Sequence, residues 1–193
     1  MVDNEHRAPM TRVKDGRSWR IGDAADAAWI AQSTVSGLTI TSAIPPVFDA
    51  YATIVVPEDY EERDEHDQAL LALLTEQSPD QPWCLGYLDT GSADVRFHDV
   101  AMVTLYAGWR YVIVEAGPTE AAGWGDRSLW KGALPDLIFP VDHSWLLSTL
   151  WDDDWRCVGG PTGLIDRLHS DTRLETRLVN LNDDATPPGH TAR

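Results

Sequence analysis

Residues 144–160 read SWLLSTLWDDDWRCVGG and decide how the second half of this chain is interpreted. Two apolar runs, at residues 145–151 and 155–158, flank three consecutive aspartates. Side chains alternate between the two faces of a strand, and aspartate is favoured in turns. The pattern therefore predicts two strands joined by an acidic turn.

Further strand signals lie upstream of this stretch. Residues 83–88 are apolar, and residues 102–106 and 109–115 flank the turn dipeptide Ala107-Gly108, which predicts a hairpin. We expect Trp109 and Tyr111 to lie across from Trp145 on a neighbouring strand. Three more features complete this half: a short apolar run at 137–139, a break at Gly159-Gly160-Pro161, and a last helix from Thr162 to about Leu168.

The first half is predicted to be mainly helical. Its strongest helical segment, residues 69–74, follows an acidic run at residues 58–67, whose carboxylates complement the dipole at the start of a helix. The other expected elements are a helix over 24–33 capped by Asp23, a strand over 38–43, and a helix over 46–50 followed by a strand to Val56, with one helix throughout as the alternative.

These patterns predict one α+β domain over residues 18–181, because 193 residues fit a single domain. Helices from the N-terminal half would pack on a mainly antiparallel sheet from the C-terminal half. The polar ends, residues 1–17 and 182–193, are interpreted as a disordered arm and a disordered tail.

The charge balance restricts the partners. Thirty-one acidic and 15 basic residues give a formal net charge of −16. Nucleic acids and anionic membrane surfaces both require a basic surface, so neither is an expected partner, whereas a basic protein is. The first residues contain no apolar leader, and Cys84 and Cys157 lie in apolar runs. We therefore expect a cytoplasmic protein with reduced thiols, with a disulfide between the two as the alternative.

The acidic turn and the tryptophans around it are candidates for protein binding. Three neighbouring aspartates suit a solvated turn, an acidic surface for a partner, or an oxygen-ligated cation, but their spacing does not match a calcium loop, so no metal site is predicted. Tryptophans in a glycine-rich loop, residues 123–132, are expected to be exposed. The candidate binding residues are Trp151, Asp152, Asp153, Asp154, Trp155, Trp124 and Trp130.

Catalytic signatures are weak. Glu115 with Asp142 or Asp152 gives the carboxylates that a glycan hydrolase would need, and this enzyme class is one alternative. A structural domain whose tryptophans all serve as core is another. The chain has no nucleophile elbow and no phosphate-binding glycine motif, and its histidines lack metal spacing. No cofactor is therefore predicted, and a binding protein is preferred to an enzyme.

The preferred hypothesis is an acidic binding protein of the immunity or antitoxin type, which inhibits a basic partner because its carboxylates mimic phosphates. The segment Ile44-Pro45-Pro46-Val47-Phe48-Asp49-Ala50-Tyr51, followed by a β-rich half and a short last helix, resembles the SUKH immunity superfamily. That resemblance implies a role in immunity and assigns no function to any residue.

Overall fold

One long antiparallel sheet organises the chain. The computed structural model describes residues 10–90, 97–125, 134–150 and 153–191. In these residues the sheet has ten strands: β1 (Thr11–Lys14), β2 (Arg17–Ile21), β3 (Ala50–Val55), β4 (Trp83–Leu88), β5 (Val103–Leu105), β6 (Trp109–Ala116), β7 (Leu137–Pro140), β8 (Leu146–Ser148), β9 (Trp155–Gly160) and β10 (Thr176–Leu178).

The strand order mixes neighbours along the chain with crossovers. It runs β1-β2-β6-β4-β7-β8-β9-β3-β10, and β5 pairs with β6 beside this path. The acidic turn joins β8 to β9, which are antiparallel neighbours. The predicted hairpin is also present, because β5 pairs with β6 around a turn at Ala107 and Gly108. The predictions of antiparallel pairing in both places are confirmed.

Four α-helices occur in the described residues, two in each half of the chain: α1 (Ala28–Ala31), α2 (Tyr60–Gln77), α3 (Pro118–Gly123) and α4 (Thr162–Ser170). Helix α2 begins after Asp59, whose carboxylate accepts hydrogen bonds from the backbone amides of Glu61 and Glu62 at 2.8 and 3.1 Å. Four of the strands precede residue 90. The single α+β domain is as predicted, but the expected concentration of helices in the N-terminal half is not confirmed.

Each face of the sheet carries its own hydrophobic core. Helices α2 and α4 cover the first face, where Leu70, Leu164 and Trp145 are fully buried. On the second face, Ile30 of α1 and the connection containing Ile40 and Ile44 cover the sheet. Since both faces are covered, strands such as β4 are buried along their whole length, which explains their continuous apolar sequence.

Two predicted elements before β3 are wrong. Residues 38–43 contain a 3₁₀ turn, Ile40–Ser42, instead of a strand, and a turn stands where a helix over 46–50 was expected. The reason is packing: Ile44 and Phe48 lie on the sheet where Gly159 leaves room for them. The backbone amide of Phe48 donates to the Tyr51 hydroxyl at 2.9 Å, which fixes the turn into β3.

The described parts of both chain ends contact the domain. Strand β1 lies within the predicted arm and pairs with β2. Near the other end, Asp184 bridges to Thr39, and the Ala185 amide donates to the Leu38 carbonyl at 2.8 Å. The C-terminal segment thereby closes one side of the second face of the sheet. The predicted helix over 24–33 is also shorter, because Asp23 caps a turn through the Ala25 amide and α1 begins only at Ala28.

Candidate functional site

An open groove of about 410 Å³ lies beside the first turns of α2. Three structural pieces form it: the end of β3, the outer face of α2, and the loop between α4 and β10. The lining residues are Val55, Pro57, Glu62, Glu65, Thr172, Arg173 and Glu175. The groove is therefore lined by three glutamates and one arginine.

The arginine is engaged by a carboxylate outside this lining. The Arg173 guanidinium donates to both carboxylate oxygens of Asp171, at 2.9 and 2.5 Å. These hydrogen bonds lower the pKa of Asp171 to about 2. Glu62, Glu65 and Glu175 are exposed to solvent. With Asp171 included, the groove and its edge hold four carboxylates and one guanidinium, so the surface has a net negative charge.

Arg63, the arginine within the acidic run at residues 58–67, is buried and does not contribute its charge to the surface. Arg63 is 5% exposed and donates to the Pro57 and Glu58 carbonyls at 2.9 and 2.7 Å. Its guanidinium also lies 4.9 Å from the ring centroid of Tyr60, a side chain that is 61% exposed. The start of α2 thus presents exposed carboxylates and one exposed aromatic ring.

A second concave region lies beside the hydrophobic core of the second face of the sheet. This cleft has a volume of about 370 Å³, and a narrower cavity of about 100 Å³, here called the narrow extension, adjoins it. Its walls are the loop after α1, the β5–β6 turn and Leu150. Four residues line both parts and so mark the junction: Gly37, Ser42, Trp109 and Leu150.

Two aromatic rings form a corner of the cleft. The ring centroids of Tyr106 and Trp109 are 6.5 Å apart, with the planes at 66°. Two hydrogen-bond partners fix the Tyr106 hydroxyl, which lies 2.9 Å from Ser148 Oγ and 3.2 Å from the Ala43 carbonyl. Burial raises the Tyr106 pKa despite the hydrogen bond with Ser148. The Tyr106 hydroxyl is therefore a neutral anchor, while Trp109 is half-buried at the cleft wall.

The narrow extension ends at residues from the β8–β9 region. Asp153, Trp155 and Cys157 line it and are each at most 5% exposed. The Asp153 amide donates to the Leu150 carbonyl at 3.2 Å. Burial, with a contribution from the Asp153 charge, raises the pKa of Cys157 to about 12. The thiol is therefore neutral at physiological pH. Asp153 carries the only carboxylate among the described lining residues of the extension.

The predicted binding residues are dispersed. Asp153 and Trp155 face the narrow extension, while Asp154 is half-exposed, with Oδ1 2.7 Å from His190 Nδ1. The burial of Asp153 and Trp155 differs from the solvated turn that was one expectation, because residues of the C-terminal segment and Trp109 line the extension beside them. Three of the predicted residues lie outside the described part of the chain: Trp151, Asp152 and Trp130.

The expected exposure of Trp124 is wrong. Its indole is 8% exposed and meets Trp19 edge to face at 4.9 Å between ring centroids. The indole nitrogen donates to Asp15 at 2.7 Å. Asp15 stands in the β1–β2 turn, so a hairpin from the predicted arm covers this tryptophan.

The proposed acid and base of a hydrolase have separate partners. Glu115 lies 3.4 Å from a guanidinium nitrogen of Arg20. Asp142 accepts from the Gln81 side chain at 2.8 Å and from the Ser144 amide at 2.9 Å. No described contact joins the two carboxylates, and Asp152 lies outside the described residues. The geometry therefore gives this alternative no support.

The sequence does not predict the residues that line the cleft of about 370 Å³ between the loop after α1 and the β5–β6 turn. The sequence pattern places Tyr106 in a strand, and it predicts no binding role for residues 34–37. The sequence holds a partial signal, because Gly37 and the Ala107-Gly108 turn mark two loops, and loops disproportionately carry binding residues. The contact between these two loops depends on the sheet topology, which local patterns do not specify.

Comparisons with known proteins identify no relative. No protein-family model, no curated protein and no solved structure matches the chain. The resemblance to the SUKH superfamily thus gains no support. Within the described residues, no helix has both the length and the apolar character to cross a membrane, and no three of their histidine, cysteine or acidic side chains are placed to hold a metal ion.

Proposed function

We propose that this protein is an acidic binding protein that inhibits a basic protein partner, as an immunity or antitoxin protein does. The observation that carries the proposal is the acidic groove lined by Glu62, Glu65 and Glu175. Complementary charge accelerates association and selects partners. The carboxylates would occupy the place of phosphates in a cleft of a basic enzyme.

The surroundings of the groove support a protein partner. Exposed aromatic side chains anchor many interfaces, and Tyr60 stands at the start of the helix that supplies two of the glutamates. The net charge of −16 adds long-range attraction for a basic protein. This proposal moves the binding surface from the acidic turn at residues 152–154 to the start of α2.

Affinity capture from native lysate, followed by binding and activity assays with the purified partner, tests the proposal. The groove variant is Glu62→Gln/Glu65→Gln/Glu175→Gln. The control, Glu76→Gln/Asp80→Asn/Asp166→Asn, removes the same charge from exposed carboxylates elsewhere. We expect one basic partner whose activity is inhibited, and at least about tenfold weaker binding by the groove variant, since hydrogen bonds to charged groups contribute about 1.5–3 kcal/mol each.

The control variant and raised salt separate specific binding from general attraction. Exposed charges are screened over about 8 Å at physiological ionic strength, so both variants lose some long-range attraction, but only the groove variant loses direct contacts. Equal loss of affinity in the two variants would show that only net charge matters. Absence of any stoichiometric partner at low salt would contradict the proposal.

A further inference from the structure

The cleft between the loop after α1 and the β5–β6 turn has the size of a small-molecule site. Its volume of about 370 Å³ lies near the lower end of the usual range of about 300–1,000 Å³ for ligand pockets, which suits a ligand of one or two rings. Among the described residues it shares no lining residue with the acidic groove. A function of this cleft is thus independent of the proposed partner of the groove.

The lining favours a ligand without charge. Every described lining residue of the cleft is uncharged at neutral pH, including Tyr106, whose pKa is raised by burial. Burying a charge without an opposite charge or hydrogen bonds to compensate it is costly. An ionic group of either sign would therefore lose its hydration in this cleft without meeting a counter-charge in the described lining.

The polar side chains of the lining favour a ligand with few polar atoms. Apart from the two aromatic residues, they are the hydroxyl residues Thr34, Ser36, Ser42 and Thr104, and a hydroxyl can donate or accept a hydrogen bond. No described lining side chain carries an amide or a carboxylate. A sugar has a hydroxyl on most of its carbons, and polar groups that end up imperfectly paired lower affinity. The lining thus fits a mainly apolar ligand better than a sugar.

The aromatic corner favours a flat ring. Aromatic rings prefer offset-stacked or edge-to-face contacts with centroids about 4.5–7 Å apart. The rings of Tyr106 and Trp109 meet at 66° with centroids 6.5 Å apart, so a ligand ring parallel to one of them is inclined by the same angle to the other. The Tyr106 hydroxyl is fixed by Ser148 and Ala43, and a preorganised ring loses little conformational entropy when a ligand binds.

We propose that this cleft binds an uncharged aromatic molecule of one or two rings, with a ring against Tyr106 and Trp109. A polar substituent on that molecule would hydrogen-bond with the hydroxyl of Ser42 or Thr104, both in the lining. Val35, another lining residue, is 59% exposed. A ligand that covers this side chain gains affinity, because apolar surface is removed from water.

The test compares probes that share one ring system and differ in charge. Tryptophol is neutral, tryptamine is its cationic analogue, indole-3-acetate is anionic, and methyl α-glucoside is neutral but has no aromatic ring. Binding to the full chain is measured by calorimetry and by the indole N–H signal of Trp109 in proton–nitrogen correlation spectra, assigned with Trp109→Phe. We expect tryptophol to bind at least about tenfold more tightly than each of the other three, because unpaired charges and unpaired hydroxyls both weaken binding.

Three variants locate the site. Trp109→Leu removes one ring of the corner and is expected to weaken tryptophol binding about tenfold, through lost ring contact and lost apolar area. Thr104→Trp fills the cleft from an exposed strand position and is expected to abolish binding. Thr11→Trp, the same change at an exposed strand position outside the lining, should leave binding unchanged. Thr104→Trp also decides the matter if Trp109→Leu fails to fold, as judged by circular dichroism.

Several results would overturn the proposal. These are equal or tighter binding of tryptamine or indole-3-acetate, equal binding of methyl α-glucoside, full affinity for tryptophol in folded Thr104→Trp, or no saturable binding of tryptophol up to roughly 5 mM. Loss of the basic protein partner in the groove variant leaves these measurements untouched, so the two proposals fail separately.

Discussion

Arg156 on β9 donates a hydrogen bond of 2.8 Å to the carboxylate of Asp67 on α2. Arg156 is 1% exposed and Asp67 is 7% exposed, so the pair lies inside the first core. The Nδ1 atom of His66 lies 3.2 Å from both partners. This buried polar cluster connects the longest helix to the sheet.

Removing one partner of this pair should destabilise the fold. Asp67→Asn removes the negative charge to which Arg156 donates, and loss of one member of a buried ion pair costs about 3–5 kcal/mol. Urea unfolding at neutral pH measures the change. The double variant Asp67→Leu/Arg156→Met should lose less, because it removes both charges, and Asp171→Asn at the exposed Arg173 pair should have little effect. A change in the free energy of unfolding of less than about 1 kcal/mol in Asp67→Asn would show that the buried pair contributes little to stability.

Stability should fall as the pH is lowered through the range of histidine titration. Burial lowers the pKa of His66 below its ordinary value, although the hydrogen bond with Asp67 opposes this shift. Between the folded pKa and the unfolded pKa of about 6.5, the unfolded chain binds the extra proton, so stability decreases as pH drops.

The variant His66→Gln should show a weaker dependence of the free energy of unfolding on pH. Unfolding free energies from urea titrations between pH 8 and pH 5 give the slope for both proteins, and His169→Gln, at an exposed site, serves as the control. A second loss of stability is expected below about pH 4, where carboxylates take up protons, because the pKa of Asp67 is lowered by Arg156 and His66 more than burial raises it. An unchanged slope in His66→Gln would contradict the assignment.

Gly159 should tolerate no side chain. A Cβ atom there would stand 2.5 Å from Phe48 Cδ2 and 2.6 Å from Ile44 Cγ2. Overpacking of this kind costs about 1–3 kcal/mol, so Gly159→Ala should lower the thermal midpoint. Gly163→Ala is the matched control: a Cβ there meets its nearest atom at 3.9 Å, and alanine favours a helix. Equal thermal midpoints for the two variants would show that the side chains of Phe48 and Ile44 shift to accommodate the added methyl group with little loss of stability.

The elements that could be predicted from sequence are those whose local pattern agrees with their packing. Helix α2 has an acidic first turn after the Asp59 cap, and the β5–β6 hairpin has Gly108 with φ +103° at its turn. The prediction for the connection before β3 is wrong, because the conformation of this segment is set by the packing of Ile44 and Phe48 against β9 and not by the local sequence pattern.

The pairing of the aromatics also depends on topology. Trp145 meets Trp83 edge to face at 5.1 Å in the first core, whereas Trp109 and Tyr111 belong to the second. The expectation that they lie across from Trp145 is wrong, since β6 and β8 are not neighbours. The two concave regions share this cause: each is built from segments far apart in sequence, and no single motif contains enough of either to predict it.

Both described cysteines should resist modification while the protein is folded. They are free and buried, and burial raises the pKa of Cys84 and of Cys157 to about 12. The thiolate is the reactive form, so at pH 8 we expect almost no alkylation by iodoacetamide in buffer and two additions per chain in urea, measured by intact mass.

The two thiols also distinguish local opening from global unfolding. Cys157 lines the narrow extension of the cleft, whereas Cys84 lies between β6 and β7 in the sheet. Cys84→Ser and Cys157→Ser leave one thiol each, and their alkylation rates should rise together with urea if only global unfolding exposes them. Faster native labelling of Cys157 alone would mean that the C-terminal segment over the cleft opens independently.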